Sequence, residues 1–458
     1  MQHEQPPAER QKWSLLKRAS YAGTVLGALV LVCLLALLFF PDPLVNRFIK
    51  PRIIETVVEA YPAYAIRIGA MNYDVLENRF GCDSIVVSAV DSTFSSTIGP
   101  FTVSGIRWMH LLWGGSLAPH DFADATVEAH AIVLNFPESQ YALRCEVLRM
   151  SVPDSELVVD TLTLQPSAGD EDFFAESTFR KTRFRLAVSS ARMQGVAYLE
   201  LLQGKSSRPR FARIQDPFLD VLINKDKPSG KETPIPRVSS GGFEWMKGSL
   251  HADSLSMVNG HLQYGERFAV GAKPARLTLE SMRVSASRIG NDEDSAASVV
   301  VDAQGMFMKT GVMNVHVAIP TGSRLSLFQY SGSLGRMDIS ALNPFLETAE
   351  QVRIVEGVLE SATFTITVTS GLASGSVRAV YRNLTLAAIN AKTGSQNGAG
   401  DLFASFIANT FKLRGTNMPD KSGAITLGKV KYMRQRDDPL FRFLWFALRS
   451  GVADVVGF

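Results

Sequence analysis

Apolar and polar residues alternate along most of this chain. In "EGVLESATFTITVTSG" (356–371), Val358, Ala362, Phe364, Ile366 and Val368 fall on one side, and Thr363, Thr365, Thr367 and Thr369 on the other. That spacing predicts a long strand with one apolar face. In "MNVHVAIP" (313–320), Met313, Val315, Val317 and Ile319 oppose Asn314 and His316 in the same way. Strand-like stretches recur from residue 64 onward: "YAIRIGAMNYDV", "CDSIVVSAV", "ATVEAHAIVLNF", "SELVVDTLTLQP", "FRLAVSS" and "VAYLELL", then "HADSLSMVNGHLQYGERF", "ARLTLESMRVSASRI", "ASVVVDAQGMFM" and "LSLFQYSGSLGRMDIS". "GSVRAVYRNLTLAAI" reads as a further strand pair.

Helical spacing is confined to a few places. Leu44, Phe48, Ile53, Ile54, Val57 and Val58 share a face in 44–60, with a break or kink expected at Pro51. This helix either packs on the domain behind it or lies on a lipid surface. One short helical piece surrounds "IRWMHLLWGG", where Trp108 and Trp113 read as packing residues. Leu402, Phe403, Phe406, Ile407 and Phe411 form a stripe in "DLFASFIANTFK". Asp438 and Pro439 open a last helix, "DPLFRFLWFALRSGVADVVGF", whose Arg442, Arg449 and Asp454 make it a poor membrane span. Closing the end of a β structure is its expected role.

Residues 21–40, "YAGTVLGALVLVCLLALLFF", carry no charge. At helical rise they cover about 30 Å, the thickness of a hydrocarbon core. Arg10, Lys12, Lys17 and Arg18 precede them, which places the N-terminus in the cytoplasm. No small-residue cleavage site follows, so an uncleaved single-pass anchor is expected, with the bulk of the chain beyond the inner membrane, in the periplasm. The organisation read from the sequence is a cytoplasmic tail (1–20), the transmembrane helix (21–40), an N-terminal helix plus first β region (41–228), a Pro/Gly/Ser-rich linker (229–242), a second β region (243–393) and C-terminal helices with a closing strand (394–458).

Many strands, few helices and no strand–helix alternation predict an all-β, mainly antiparallel fold. Helices are too few to cover the apolar faces. Either two sheets face each other, or one folded sheet takes foreign apolar material into its concave side.

Composition sharpens this by exclusion. The 458 residues are 46% hydrophobic with a net charge of +3, which gives no nucleic-acid footprint. Three cysteines make no disulfide scaffold, and only geometry decides whether Cys82 and Cys145 pair. "QGKSS" (203–207) lacks the glycine a phosphate loop needs, since Leu199 stands there, and leaves Lys205 as a turn residue. His110, His120 and His130 lie ten apart, a spacing no metal motif uses. "NLT" at 383–385 sits inside a strand. No local motif supplies a nucleophile with its base. No catalytic, cofactor or metal residue is assigned.

The order of elements resembles the AsmA-like family of Gram-negative envelope proteins, in a short form associated with uncharacterised Bacteroidetes-like members. The resemblance is carried by "NRFIKPRIIETVVEAYPAYAIRIGAMNYDVLENRF" after the anchor, by "FLDVLINKDKP" (218–228) and "VNGHLQYGER" (258–267), and by "DISALNPFLETAEQVRIVEGVLESATFTI" with its Asn343-Pro344 break. "GSVRAVYRNLTL", "FIANTFKLRGTN" and the closing helix follow in order. It implies an elongated, groove-like β-sheet with an apolar interior, no enzymatic activity and no cofactor, and membrane lipids as partners. Phospholipid acyl chains are the expected ligand, and Val315, Val317, Phe364, Ile366 and Val368 the expected lining. About twenty strands at ~4.8 Å spacing reach on the order of 100 Å. The alternative is a structural or assembly factor of the envelope that binds partner proteins by β-strand addition.

Overall fold

The computed structural model describes residues 41–107, 118–202, 209–228, 251–290, 298–320, 327–389, 413–435 and 440–457. Several sequence readings lie outside them. These are the tail and apolar span 1–40 with Cys33, the stretch holding Trp108, His110 and Trp113, Lys205, the 229–242 linker and "GNDEDSA" beyond Gly290. The "GSQNGAG" loop, the helix expected at 401–412 and Asp438–Pro439 are outside as well. Among the described residues no helix is long and apolar enough to cross a membrane.

The fold is mainly β, and the 21 strands among the described residues join in one sheet. They stack in chain order. β1 (Tyr64–Ile68) and β2 (Met71–Asp74) make the first row, β3 (Arg79–Cys82) and β4 (Ile85–Ala89) the second, β5 (Ser95–Ile98) and β6 (Phe101–Ser104) the third. β7 (Thr126–Phe136), β8 (Tyr141–Ser151), β9 (Glu156–Pro166) and β10 (Thr182–Gln194) follow singly. β11 (Phe211–Gln215) and β12 (Phe218–Asn224) share a row. β13 (His251–Arg267), β14 (Ala275–Gly290), β15 (Ser298–Phe307) and β16 (Gly311–Pro320) come next. β17 (Leu327–Leu334) shares a row with β18 (Met337–Asp338), and β19 (Val352–Thr369), β20 (Leu372–Ala388) and β21 (Leu427–Met433) complete the sheet. Five rows hold two segments each, so 21 strands make sixteen rows, ~70 Å along the stacking direction rather than the ~100 Å expected from strand number. All pairings are antiparallel except those of β11 and β12 with β13. These strands flank the linker, so the two β regions share one sheet.

Four of the five doubled rows have a common cause, while the break between β17 and β18 is separate, since β15 and β16 pair without interruption. A seam of extra residues runs through the sheet. Ala131 of β7 faces Glu146 of β8, which faces Thr161 of β9 and then Ser189 of β10; none of the four is in a regular pair. The seam continues through Asp216-Pro217, Asn259 and Ser281. Asn259 Nδ2 donates to Asp216 Oδ1 across it (2.6 Å). Ala131, Thr161, Asp216, Asn259 and Ser281 all have φ between 47° and 56°. A bulge bends its strand and adds local twist. Here the skipped residues face one another without a shift of register over β7–β10, and left-handed residues lined up across the rows turn the strands along one line.

Both ends of the sheet are capped by helices. α1 spans 42–60: Asp42–Leu44 and Lys50–Ala60 flank a π-helical turn, Val45–Ile49. The kink expected at Pro51 is replaced by this turn, and Pro51 then sits in the first turn of the following α segment, where its missing N–H costs nothing. Asp42, Asn46 and Lys50 cap the outer edge of the first row. Tyr73 N donates to Asp42 Oδ1, Met71 N to Asn46 Oδ1, and Lys50 Nζ to the Gly69 carbonyl, all at 2.9 Å. At the far end the last helix packs on β20 and β21, as expected of a closing element. Its Asp454 and Ser450 accept from Lys429 N and Lys431 N on the outer edge of β21.

Two further short helices, α2 (Asp170–Ala175) and α3 (Tyr198–Leu202), interrupt the first β region. The strand expected over "VAYLELL" is thus a helical turn, fixed where Tyr198 Oη donates to the Glu156 carbonyl. The Asn343-Pro344 break opens α4 (Asn343–Ala349). The closing helix is α5 (Leu440–Val456). "GSVRAVYRNLTLAAI", read as a strand pair, lies in one bulged strand, β20. Cys82 and Cys145 are free and buried on different strands.

Two substitutions test these devices. Thr161 is β-branched in a left-handed conformation that asparagine tolerates better. Thr161→Asn is expected to raise stability by about 1 kcal/mol in urea unfolding, while the same change at Thr163 gives no gain. A Cβ on Gly428 would collide with the Gly451 carbonyl of α5. Gly428→Ala is expected to lose about 1–3 kcal/mol in the same assay, by lifting α5 from the sheet.

Candidate functional site

The seam reorganises the apolar face. Between β7 and β10 the apolar side chains recur at i, i+2, i+5 and i+7, because the extra residue shifts the alternation by one. Four cross-strand ladders result. They are Val127–Met150–Leu157–Met193, Ala129–Leu148–Val159–Ala191, Ile132–Cys145–Leu162–Val188 and Leu134–Leu143–Leu164–Leu186. Ala129, Cys145 and Val188 are buried, and the other thirteen are only half-buried. None belongs to the hydrophobic clusters formed by the buried residues. Among the described helices, α2 reaches these strands through Phe173 on Tyr141 and Asp170 on Arg183 and Arg185, and α3 through Tyr198 on the Glu156 carbonyl; none of these strand residues belongs to a ladder. The other face is polar: Arg149 bridges Glu128 (3.7 Å) and Asp160 (2.9 Å), and Ser190 Oγ donates to Asp160.

The five lining residues expected from the sequence lie farther along. Phe364, Ile366 and Val368 do share one face of β19, but they are 7%, 0% and 1% exposed, within the core closed by α5. Tyr330 stands 5.9 Å from Phe364 and donates its hydroxyl to the Leu444 carbonyl of α5 (3.2 Å). Burial pushes the Tyr330 phenol well above its ordinary range. Trp445 of α5 meets Phe307 (6.4 Å) and Phe345 (6.3 Å) from the far side of this core. Val315 and Val317 are half-buried on β16 and pack against the same core. Val358, placed with this face by simple alternation, gives way to Leu359, since β19 is irregular at Glu360.

Charged residues gather where the half-buried ladders give way to that closed core. Lys225, at the end of β12, pairs with buried Glu266 (3.1 Å), which also accepts from Tyr264 Oη (2.7 Å). Glu350, after α4, pairs with Arg449 of α5 (2.8 Å). Lys225, Arg442 and Arg449 all stand within 6 Å of the Phe446 ring. Burial lowers the Lys225 ammonium and raises the Glu350 carboxyl, against the pull of their partners.

A shallow depression of about 680 Å³ lies on the sheet between β13 and β19, bordered by Arg283, Asp302, His316 and Thr365. His316 Nδ1 lies 2.8 Å from Asp302 Oδ1, and both are exposed. Among the described residues no group of histidine, cysteine or carboxylate side chains is placed to hold a metal.

No family model and no curated protein matches this sequence.

The buried carboxylate gives a signed prediction. With a raised folded pKa, Glu350 contributes stability that is full below its ordinary value of 4.5 and is lost as pH rises through the folded value. Glu350→Gln is expected to flatten that fall, seen as a smaller difference between urea midpoints at about pH 4 and about pH 7.

Proposed function

We propose that this chain is a single-pass, inner-membrane-anchored periplasmic protein of AsmA-like type that binds or passes lipid without catalysing a reaction. In this reading the bent sheet is a groove, and the four ladders of β7–β10 hold the acyl chains. The observation that carries it is the sixteen-residue apolar patch, continuous across four strands yet neither buried in a core nor covered by a described helix. Transferring acyl methylenes onto such a face gains about 0.8 kcal/mol each and breaks no protein hydrogen bond. A closed core then marks one end of the groove, with α5 as its stopper. Movement along it is passive, and phospholipid is the expected cargo in envelope maintenance. The anchor rests on the uncharged stretch 21–40.

A second reading has its own observation. α1 caps β2 with side chains and its Lys50–Ala60 segment packs beside β1, where it supplies no side-chain cap among the described residues, so a partner strand there would have to displace that segment. An envelope partner that adds a strand there would make the chain an assembly factor.

Photo-crosslinking separates the two. With a benzophenone amino acid at Leu162 or Leu186 in the full chain in cells, lipid adducts are expected; the same residue at Thr163 on the other face, or at Val368 in the core, yields none. Protein adducts at Ala65 or Arg67, with no lipid at Leu162 and Leu186, would favour strand addition and end the lipid reading.

A further inference from the structure

The most exposed large apolar side chain among the described residues is Leu76, at 88%, beside Val75 in the turn between β2 and β3. The turn that displays it is braced: Asp74 Oδ1 accepts from Leu76 N (2.9 Å) and Glu77 N (3.0 Å). At its base Tyr73 Oη donates to Asn78 Oδ1 (3.0 Å), and Asn78 Nδ2 donates to the Ile106 carbonyl (3.0 Å). A leucine held this way in water costs free energy and adds nothing to any core.

Its position is fixed by α1. Contacts of Lys50 with Gly69, Asn46 with Met71 and Asp42 with Tyr73 show that α1 runs antiparallel to the first row. The start of α1 therefore lies beside the end of β2, and the Val75–Leu76 tip continues past that start. Two residues before Asp42 is Phe40, the last of the uncharged stretch 21–40. Leu76 is three residues beyond Tyr73, about 10 Å of chain at most. The tip thus projects toward the side from which the apolar stretch arrives.

We propose that the β2–β3 tip is a second membrane contact, with Leu76 and Val75 inserted into the bilayer interface next to the anchor. The partner is a lipid surface, and the contact holds the sheet in a fixed orientation on it, with the first-row strands rising away. The inference rests on the reading of 21–40 as an anchor. A hydrophobic tip beside an anchored helix needs little apolar area to stay inserted, because the anchor already supplies proximity.

Val90, 73% exposed, provides the control. It follows β4 at the opposite end of the same rows, about 30 Å from Leu76 along the strands. A genetically encoded, environment-sensitive fluorophore is placed at Leu76, Val90 or Leu31 of the full chain in vesicles of phosphatidylethanolamine and phosphatidylglycerol. The Leu76 probe is expected to emit at shorter wavelength than the Val90 probe and to be quenched by nitroxide-labelled lipid, while Val90 is quenched only by aqueous iodide. A water-like Leu76 probe together with a lipid-quenched Leu31 probe would overturn the proposal and leave the anchor standing. Water-like signals at both Leu76 and Leu31 would overturn the anchor and the proposal with it. Phe at position 80 is left untouched, so its ring contact with Tyr73 (4.4 Å) keeps the hairpin folded in every variant.

Discussion

One extra residue per strand, kept in register from the first rows as far as β14, governs the N-terminal part of this sheet. A lone bulge would bend one strand and leave its neighbours flat. Here Ala131, Glu146, Thr161 and Ser189 lie side by side, and the line continues through Asp216 and Asn259. Because the bulges coincide, each strand keeps its apolar residues on the same face before and after the bend. Were Ala131 to continue the strand regularly, the period of two would send Ile132 and Leu134 to the polar side. The seam therefore both bends the sheet and keeps its lining continuous.

The two halves of the stack use that face differently. Toward the C-terminal end it is filled. α5 brings Phe443, Ala447 and Val455 against β20 and β21, and α4 adds Phe345. The close approach at Gly428 and Gly451 leaves no space for a ligand there. Over β7–β10 no comparable filling exists among the described residues. The ion pairs of Lys225 with Glu266 and of Glu350 with Arg449 lie between the two regimes. Such pairs add little net stability where they are buried, but they disfavour any other packing of α5 that would leave a charge unpaired.

Much of this was legible beforehand, and the misses have physical reasons. Strand content, antiparallel pairing and the facing of Phe364, Ile366 and Val368 follow from simple alternation. The sequence also carries the signal for the four ladders: "LRCEVLRM" and "LVVDTLTL" both space their apolar residues at i, i+2, i+5 and i+7. Strict alternation reads such a stretch as an imperfect strand and misplaces one half of it, which is how Val358 was exchanged for Leu359. Short helices were missed for a different reason. Five or six residues, as in α2 and α3, are too few to show a helical period, and α3 is held by Tyr198 reaching to Glu156. The expected lining was a matter of coverage. Alternation says that Ile366 faces inward; only the path of α5 says what it meets there.

Because spatial order follows chain order, the sheet is suited to growth in the direction of synthesis. Each row finds its template in the row already laid down, so loop closure stays short and contacts stay local. The exception is the parallel step into β13, which must wait for the connection after β12 to cross back. Until α5 arrives, every growing edge is sticky, since Asp454 and Ser450 reach β21 only from the final helix. The seventeen-residue α5 thus does two things at once: it covers the edge of β21 and completes the core around Phe364, Ile366 and Val368, so a chain lacking it would expose both an open strand edge and an apolar face.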